Sequence, residues 1–149
     1  MGQALALLAL LWMPRSQAQV HTAEARAATA LYHDVNQERR TRGLPPLQLD
    51  SRLSQAAIEH VVEMSNAEYF DHASLNGQSP FDRLHDVGCT YTYAGENLAE
   101  APSERVAASA LFASAPHRRN TLSVNYHRVG IAVMFNDAGE LLFVEDFTD

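Results

Sequence analysis

Two apolar segments near the end of the chain decide the fold class: Val129-Gly130-Ile131-Ala132-Val133-Met134-Phe135 and Leu141-Leu142-Phe143-Val144. They flank a polar, glycine-containing segment, Asn136-Asp137-Ala138-Gly139-Glu140. This pattern predicts a β-hairpin with a loop of about five residues. Because both segments are apolar on both faces, we expect the two strands to lie centrally in a sheet that is covered on each side.

Upstream of the hairpin, apolar residues recur at helical spacing in several segments. We expect a first helix from about Ala23 to Arg42, a second helix capped by Asp50, and a third from Ser103 to Ala113. A short helix beginning at Pro80 and an extended stretch from Tyr91 to Leu98 lie between them. Helices first and a hairpin last indicate an α+β domain in which helices pack over a sheet.

The composition is that of one globular domain. Of 149 residues, 46% are apolar and 19% are charged, which allows a buried core and argues against a disordered chain. The net charge is -7, and all 11 basic residues are arginines. This charge argues against nucleic acid as a partner and against docking on an anionic membrane by charge alone.

The N-terminus has the pattern of a signal peptide. Ala4 to Met13 form an apolar run that is too short to span a bilayer, which takes about 20 residues. Ser16-Gln17-Ala18 then predicts cleavage after Ala18, giving a signal peptide at 1–18 and a single domain at 19–149. We expect a secreted or periplasmic protein without stable membrane insertion; a slipped start site or an uncleaved anchor is the alternative.

The single cysteine, Cys89, excludes a disulfide within this chain and a zinc site built mainly on thiolates. In an oxidising compartment it can be a buried thiol, a reactive thiol or an intermolecular bridge. We expect a buried thiol, because unpaired cysteine behaves mostly as a small hydrophobic residue.

Three segments carry polar residues that are not needed to form a hydrophobic core: Asp71-His72-Ala73, Gly95-Glu96-Asn97-Leu98-Ala99 and Ser114-Ala115-Pro116-His117-Arg118-Arg119-Asn120. Each lies at the boundary of a predicted element, where side chains can converge on a cleft. The long separations between His72, Glu96 and His117 exclude a local metal loop such as H-E-x-x-H.

These segments make the sequence similar to the CAP superfamily: cysteine-rich secretory proteins, antigen 5 and pathogenesis-related 1 proteins, also called the SCP-like extracellular domain. The resemblance runs from about Leu31 to Phe147 and is strongest for the short bacterial branch. GENLA at 95–99 and SAPHRRNTL at 114–122 are its most specific motifs. The opening helices at 36–60, FDH at 70–72, FDRL at 81–84, and VGIAV with FVEDF at the end complete the order.

The resemblance implies an α-β-α sandwich with a central antiparallel sheet between helical layers. It also implies a cleft lined by two histidines and two glutamates, in which family members can hold a divalent metal. The histidines correspond to His72 and His117, and the glutamate of the GEN motif to Glu96. The second glutamate does not carry over, since Ser114 stands in its place.

Two interpretations of this binding cleft, formed by His72, Glu96, Ser114 and His117, stay open. Two imidazoles and one carboxylate can bind Zn²⁺ or another divalent cation with a position left for water, so His72, His117 and Glu96 are the candidate metal ligands. Alternatively the trio holds no metal, and Glu96 accepts a hydrogen bond from an imidazole and raises its pKa. Asn97 is interpreted as structural, satisfying backbone groups beside the cleft.

The remaining polar candidates receive simpler interpretations. His60 lies on the apolar face of the second helix and is expected to be a satisfied core histidine. His21, His33 and His85 are expected to face solvent. Glu145 and Asp146 alternate in the last strand, so one of them could point inward and replace the missing acid, although exposure at the strand end is the favoured expectation.

Three functions are consistent with these residues. The first is a secreted binding module whose cleft takes a divalent cation and a small lipid or peptide ligand. The second is a metal-dependent, protease-like hydrolase in which Glu96 would be catalytic and, with the two histidines, would activate water. The third is a scaffold that acts through its surface alone; the oligomeric state is left open.

Overall fold

A four-stranded sheet forms the centre of the structure, a computed structural model that describes residues 16–149. The strands are β1 (Gln48–Leu49), β2 (Ala94–Ala101), β3 (Arg128–Phe135) and β4 (Leu141–Thr148), in the spatial order β1-β3-β4-β2. The short β1 pairs parallel with β3, and the other pairs are antiparallel. The predicted hairpin is therefore confirmed, and its strands β3 and β4 occupy the two central positions.

The register between the strands places the acidic end of β4 beside the polar part of β2. Glu96 lies directly opposite Asp146, and Asn97 lies opposite Glu145. Successive side chains of a strand point to opposite faces, so each of these two pairs projects into a different layer of the domain.

Within residues 16–149, five helices surround the sheet: α1 (Gln17–Thr41), α2 (Ser51–Ala67), α3 (Pro80–Asp86), α4 (Glu104–Ala113) and α5 (Ala115–Thr121). The predicted cap is confirmed, since the Asp50 carboxylate accepts from the first backbone amides of α2. The expected start of α1 at Ala23 is wrong, because Ser16 forms a capping box that begins the helix at Gln17. The predicted cleavage site after Ala18 thus lies in the first turn of α1, while residues 1–15 lie outside the described residues.

The helices form a layer on each side of the sheet. Helices α1 and α4 cover one face, and their apolar side chains form one core with sheet residues that include Val129, Phe143 and Phe147. Helix α2 covers the other face and packs on Leu98, Ala132, Leu142 and Val144, while α3 packs on its first turns. This arrangement confirms the predicted α-β-α sandwich.

Gly130 sets how closely α2 approaches the sheet. A Cβ atom at this position would overlap the backbone of Leu53 and Ser54 in the first turn of α2. The absence of a side chain therefore lets the helix contact β3 directly, beside Asp146, which is the register partner of Gly130. This contact fixes the helix from which the His72 loop emerges.

A buried arginine ties α1 to the segment that follows α5. The fully buried Arg39 guanidinium donates to the carbonyl oxygens of Pro45 at 2.9 Å, Thr121 at 2.8 Å, Ser123 at 2.9 Å and Tyr126 at 3.2 Å. Burying a cation requires compensation, and the four carbonyl dipoles supply it. Helix α5 is therefore anchored at its C-terminal end.

Two further expectations concern individual features of the chain. Cys89 is buried among Leu53, Ala56 and Leu84, which confirms the expected buried thiol. Within residues 16–149, no helix combines the length and the apolar character needed to cross a membrane.

Candidate functional site

The loop after α2 carries His72 and is held by three hydrogen bonds. His60 Nε2 contacts the Asp71 carbonyl at 2.9 Å, and the Asp71 carboxylate accepts from the Ala73 amide at 2.8 Å. Arg83 of α3 donates to the carbonyl of His72 at 3.0 Å. These bonds fix the backbone at His72, although its side chain stays 52% exposed.

Glu96 of β2 joins His72 to Arg83. Its Oε1 lies 2.7 Å from His72 Nδ1, and its Oε2 accepts from the Arg83 guanidinium at 2.7 Å. The Glu96 side chain is only 2% exposed and that of Arg83 6%, so this ion pair is buried. Because a carboxylate only accepts, Nδ1 of His72 is the donor and Nε2 is left for another partner.

Asp146 is a second acidic group beside Glu96. It is 1% exposed, and its carboxyl lies within hydrogen-bond reach of the Glu96 carboxyl, while no other group of the described residues donates to it. Burial raises the pKa of Asp146 well above its usual range, and the nearby charge of Glu96 raises it further. The expected exposure at the end of the strand is wrong: both Glu145 and Asp146 are buried, because helices cover both faces of β4 to its end.

Glu145 points to the opposite face and meets an amide network. Its Oε2 accepts from Asn97 Nδ2 at 3.0 Å, and that amide also donates to the His117 carbonyl at 3.2 Å. The Asn97 Oδ1 atom accepts from Asn120 Nδ2 at 2.8 Å. Asn97 therefore satisfies backbone and side-chain groups beside the cleft, as predicted, and it holds α5 against β2.

His117 and Ser114 line one cavity of about 310 Å³ at the outer edge of β2, with Phe70, Leu98 and Glu100 among its other walls. Pro116 lies in the first turn of α5, which places His117 one residue further on that helix. Ser114 precedes α5 and makes no capping hydrogen bond with its side chain. The structure thus brings these two predicted cleft residues to the same cavity.

The two imidazoles have pKa values shifted in opposite directions. The hydrogen bond to Glu96 raises the pKa of His72. Burial, followed by the charge of His72, lowers the pKa of His117. His72 is thus close enough to His117 to affect its protonation, and the cleft holds one imidazole with a raised pKa beside one with a lowered pKa.

The structure connects His72 with Glu96 by direct contact and His72 with His117 electrostatically. Among residues 16–149 it contains no group of three or more His, Cys, Asp or Glu side chains that could hold a metal ion. Both Glu96 oxygens already have hydrogen-bond partners, so within the predicted set the two imidazoles are the groups that keep a free ring nitrogen. The predicted metal set of His72, His117 and Glu96 stays a prediction.

The exposed histidines follow the sequence interpretation, since His21, His33 and His85 face solvent. His60 is fully buried as expected, and its Nε2 is satisfied by the Asp71 carbonyl. Its Nδ1 has no hydrogen-bond partner among the described residues, so the expected satisfied core histidine is confirmed only in part. Sequence reasoning missed Arg83, which lies in the quoted FDRL motif. A signal was available, because an arginine on a short helix beside a buried strand needs a carboxylate partner.

Comparison with known proteins decides the family. Residues 32–147 match the sequence model of CAP, described as the cysteine-rich secretory protein family. This chain belongs to the CAP family. The CAP resemblance that the GENLA and SAPHRRNTL motifs predict is therefore confirmed over most of the chain.

Individual relatives share the CAP fold with this chain. It is 40% identical over 100 residues to the uncharacterized protein YkwD of Bacillus subtilis, a match that covers 65% of this chain and 38% of YkwD. An extracellular protein containing an SCP domain from Bacillus anthracis superposes with a TM-score of 0.77 at 27% identity, covering 91% of this chain and 44% of that one. An outer surface protein from Borrelia burgdorferi superposes with a TM-score of 0.77 at 20% identity, covering 83% of this chain and 92% of that one. The chain thus spans well under half the length of YkwD.

Proposed function

We propose that this chain is a secreted CAP-domain binding protein whose cleft takes a divalent cation such as Zn²⁺ through His72 and His117, together with a small lipid or peptide ligand. The observation that carries the proposal is the 2.7 Å contact between Glu96 Oε1 and His72 Nδ1. A carboxylate behind a histidine is the usual arrangement that orients an imidazole toward a metal. Glu96 then positions His72 instead of binding the ion itself.

The lowered pKa of His117 agrees with this role, whereas His72, whose pKa is raised, must lose a proton when the ion binds. A metal binds the neutral imidazole, and the lowered pKa of His117 keeps that ring neutral near neutral pH. Two protein ligands leave the remaining coordination positions of the ion to water or to a bound ligand. When bound, the ion would act as a Lewis acid toward an oxygen of that ligand.

Zinc titration by calorimetry tests the proposal on protein purified without chelator or metal-affinity resin. We expect His72→Ala and His117→Ala each to abolish measurable binding, and Glu96→Gln to weaken it by about 10–100-fold because the imidazole loses its orienting carboxylate. His85→Ala is the matched control, since that side chain is 87% exposed on α3. Equal affinity in the wild type and both cleft variants would contradict the metal proposal.

Export is the second part of the proposal. It is supported by the apolar segment at 4–13, by the small residues before position 19, and by the description of the Bacillus anthracis relative as extracellular. Expression in the native host should give a mature protein that begins at Gln19 outside the cytoplasm, as read by N-terminal sequencing. A cytoplasmic product that retains Met1 would contradict export.

A hydrolase is the second candidate, and the oppositely shifted pKa values of His72 and His117 favour it. Such a split supplies an acid and a base at one pH. The base role falls to His117, because the carboxylate of Glu96 is occupied by His72 and Arg83. Turnover of a peptide or ester library should follow a bell-shaped pH profile, rising as His117 loses its proton and falling as His72 loses its own. Turnover that survives His117→Ala would point to a contaminant.

A further inference from the structure

The outer edge of β2 is open beside His117, and the hydrogen-bond pattern of the sheet shows which residues face it. The Val129 carbonyl accepts from the Asp50 amide at 3.0 Å, so the odd-numbered residues of β3 face β1 and the even-numbered ones face β4. Antiparallel pairing alternates in the same way along each strand. The register therefore places the backbone N–H and C=O groups of Glu145 toward Asn97. It places those of Glu96, Leu98 and Glu100 on the outer side of β2, away from the sheet.

The Glu96 carbonyl confirms this direction, since it accepts from Asn120 Nδ2 at 3.1 Å on the outer side of β2. The next two outward residues, Leu98, which is 5% exposed, and Glu100, which is exposed, have no such hydrogen bond. No backbone or side-chain group of residues 16–149 forms a hydrogen bond with the outward amide and carbonyl groups of Leu98 and Glu100. Both residues line the 310 Å³ cavity that Ser114 and His117 also line.

From this geometry we infer that β2 takes an extended peptide as an additional strand at Leu98 and Glu100. An open strand edge presents donors and acceptors at the spacing of a peptide backbone, which is the basis of recognition by β-strand addition. The inference extends the proposed function by naming the class of ligand, and rests on it only for the location of the cleft. The bound backbone would run beside His117.

Charge indicates which peptide fits. A second cavity of about 350 Å³ shares Phe70 and Glu100 with the first and continues toward the β3–β4 loop. Its walls include the carboxylates of Glu68, Glu100 and Asp137, and no basic side chain of the described residues lines it. An extended peptide with basic side chains complements this groove, whereas an acidic one is repelled.

Site-resolved amide exchange tests the inference on the full chain. The probe is a capped octapeptide of alternating arginine and threonine at about 1 mM, a concentration that detects weak binding. We expect exchange to slow at the Leu98 and Glu100 amides, while Asn97 and Ala99 stay unchanged because β4 already binds them. The same peptide with every backbone nitrogen methylated keeps its charge and side chains but has no backbone donors, and it should not slow exchange at either amide.

A variant pair tests the same point from the protein side. Glu100→Pro removes an outward N–H, which an edge strand tolerates, and Glu100→Ala removes the same charge but keeps the N–H. We expect the proline variant to bind the peptide about fivefold more weakly than the alanine variant, by fluorescence anisotropy, for the loss of one hydrogen bond. If the proline variant fails to fold, by circular dichroism, the methylated peptide decides alone.

Three results would overturn the inference. The first is unchanged exchange at both amides, and the second is equal binding of the methylated and unmethylated peptides. The third is protection without peptide that grows with protein concentration and accompanies a dimer in ultracentrifugation, which would assign the edge to a second copy. All of these measurements are made in EDTA and repeated with Zn²⁺. Peptide binding in EDTA would support the inference even if the zinc proposal fails.

Discussion

The two faces of the β2–β4 pair bury acidic groups in different ways. On the face toward α2 and α3, Glu96 pairs with the Arg83 guanidinium and with His72. On the face toward α5, Glu145 has a single amide donor, Asn97, and its Oε1 has no partner among the described residues. Full burial raises the pKa of Glu145 to about 7. Glu96 is therefore buried as one member of an ion pair with Arg83. Glu145 is buried with an amide as its donor, and its raised pKa favours the protonated, uncharged form.

The largest expected effect is the loss of stability when the ion pair between Glu96 and Arg83 is broken. Glu96→Ala leaves the buried Arg83 cation without its partner, so we expect a loss of about 3–5 kcal/mol in the free energy of unfolding, measured by urea denaturation. Glu100→Ala, an exposed carboxylate on the same strand, should cost less than about 1 kcal/mol. A double variant, Arg83→Met with Glu96→Leu, should be more stable than Glu96→Ala; equal loss would contradict an unpaired charge as the cause.

The second expected effect concerns Glu145, on the face toward α5, and depends on pH. The raised pKa of Glu145 means that the folded protein holds a proton that the unfolded chain has lost, so its contribution to stability falls as pH rises from about 4.5 to about 7. Relative to the wild type, Glu145→Gln should gain about 3 kcal/mol in unfolding free energy between about pH 5 and about pH 8. A flat difference between Glu145→Gln and the wild type over that range would contradict the raised pKa.

The smallest expected effect is a change in the pKa of His72, which forms a hydrogen bond with Glu96. Its pKa is raised first by the hydrogen bond to Glu96. Glu96→Gln keeps a hydrogen-bond acceptor and removes the charge, so the pKa of His72 should fall, as measured by NMR titration of the imidazole in metal-free protein. The exposed His85 ring, recorded in the same spectra, is the reference signal. An unchanged His72 would mean that Glu96 does not control its protonation.

Sequence patterns predicted most of the architecture because it depends on local signals. The apolar hairpin, the Asp50 cap and the proline at the start of α3 each act within a few residues. The start of α1 was placed too late, since Ser16 and Gln19 form their capping box upstream of the apolar stripe. The local sequence pattern was sufficient to predict whether a segment forms a helix or a strand. It was less accurate for the residues at which an element begins and ends.

The candidate site was predicted only through the family motifs. His72, Glu96 and His117 lie far apart in sequence, and their approach to one cleft depends on the register of β2 with β4 and on the α2–α3 turn. Arg83 was not assigned to the site, and Asp146 was considered only as one of two residues that could replace the missing acid. A buried arginine is identified only once the carboxylate opposite it is known, and Asp146 only once cover on both faces of β4 is known.

The guanidinium of Arg39 has a consequence for how this domain tolerates its surroundings. It cross-links α1 to the segment after α5 with hydrogen bonds alone, in a chain whose one cysteine cannot form an internal bridge. Such a link is indifferent to reductants and oxidants, so the position of His117 should be the same in a reducing and an oxidising medium. It also demands the planar fork of arginine: lysine would keep the charge but could not reach carbonyls in several directions at once.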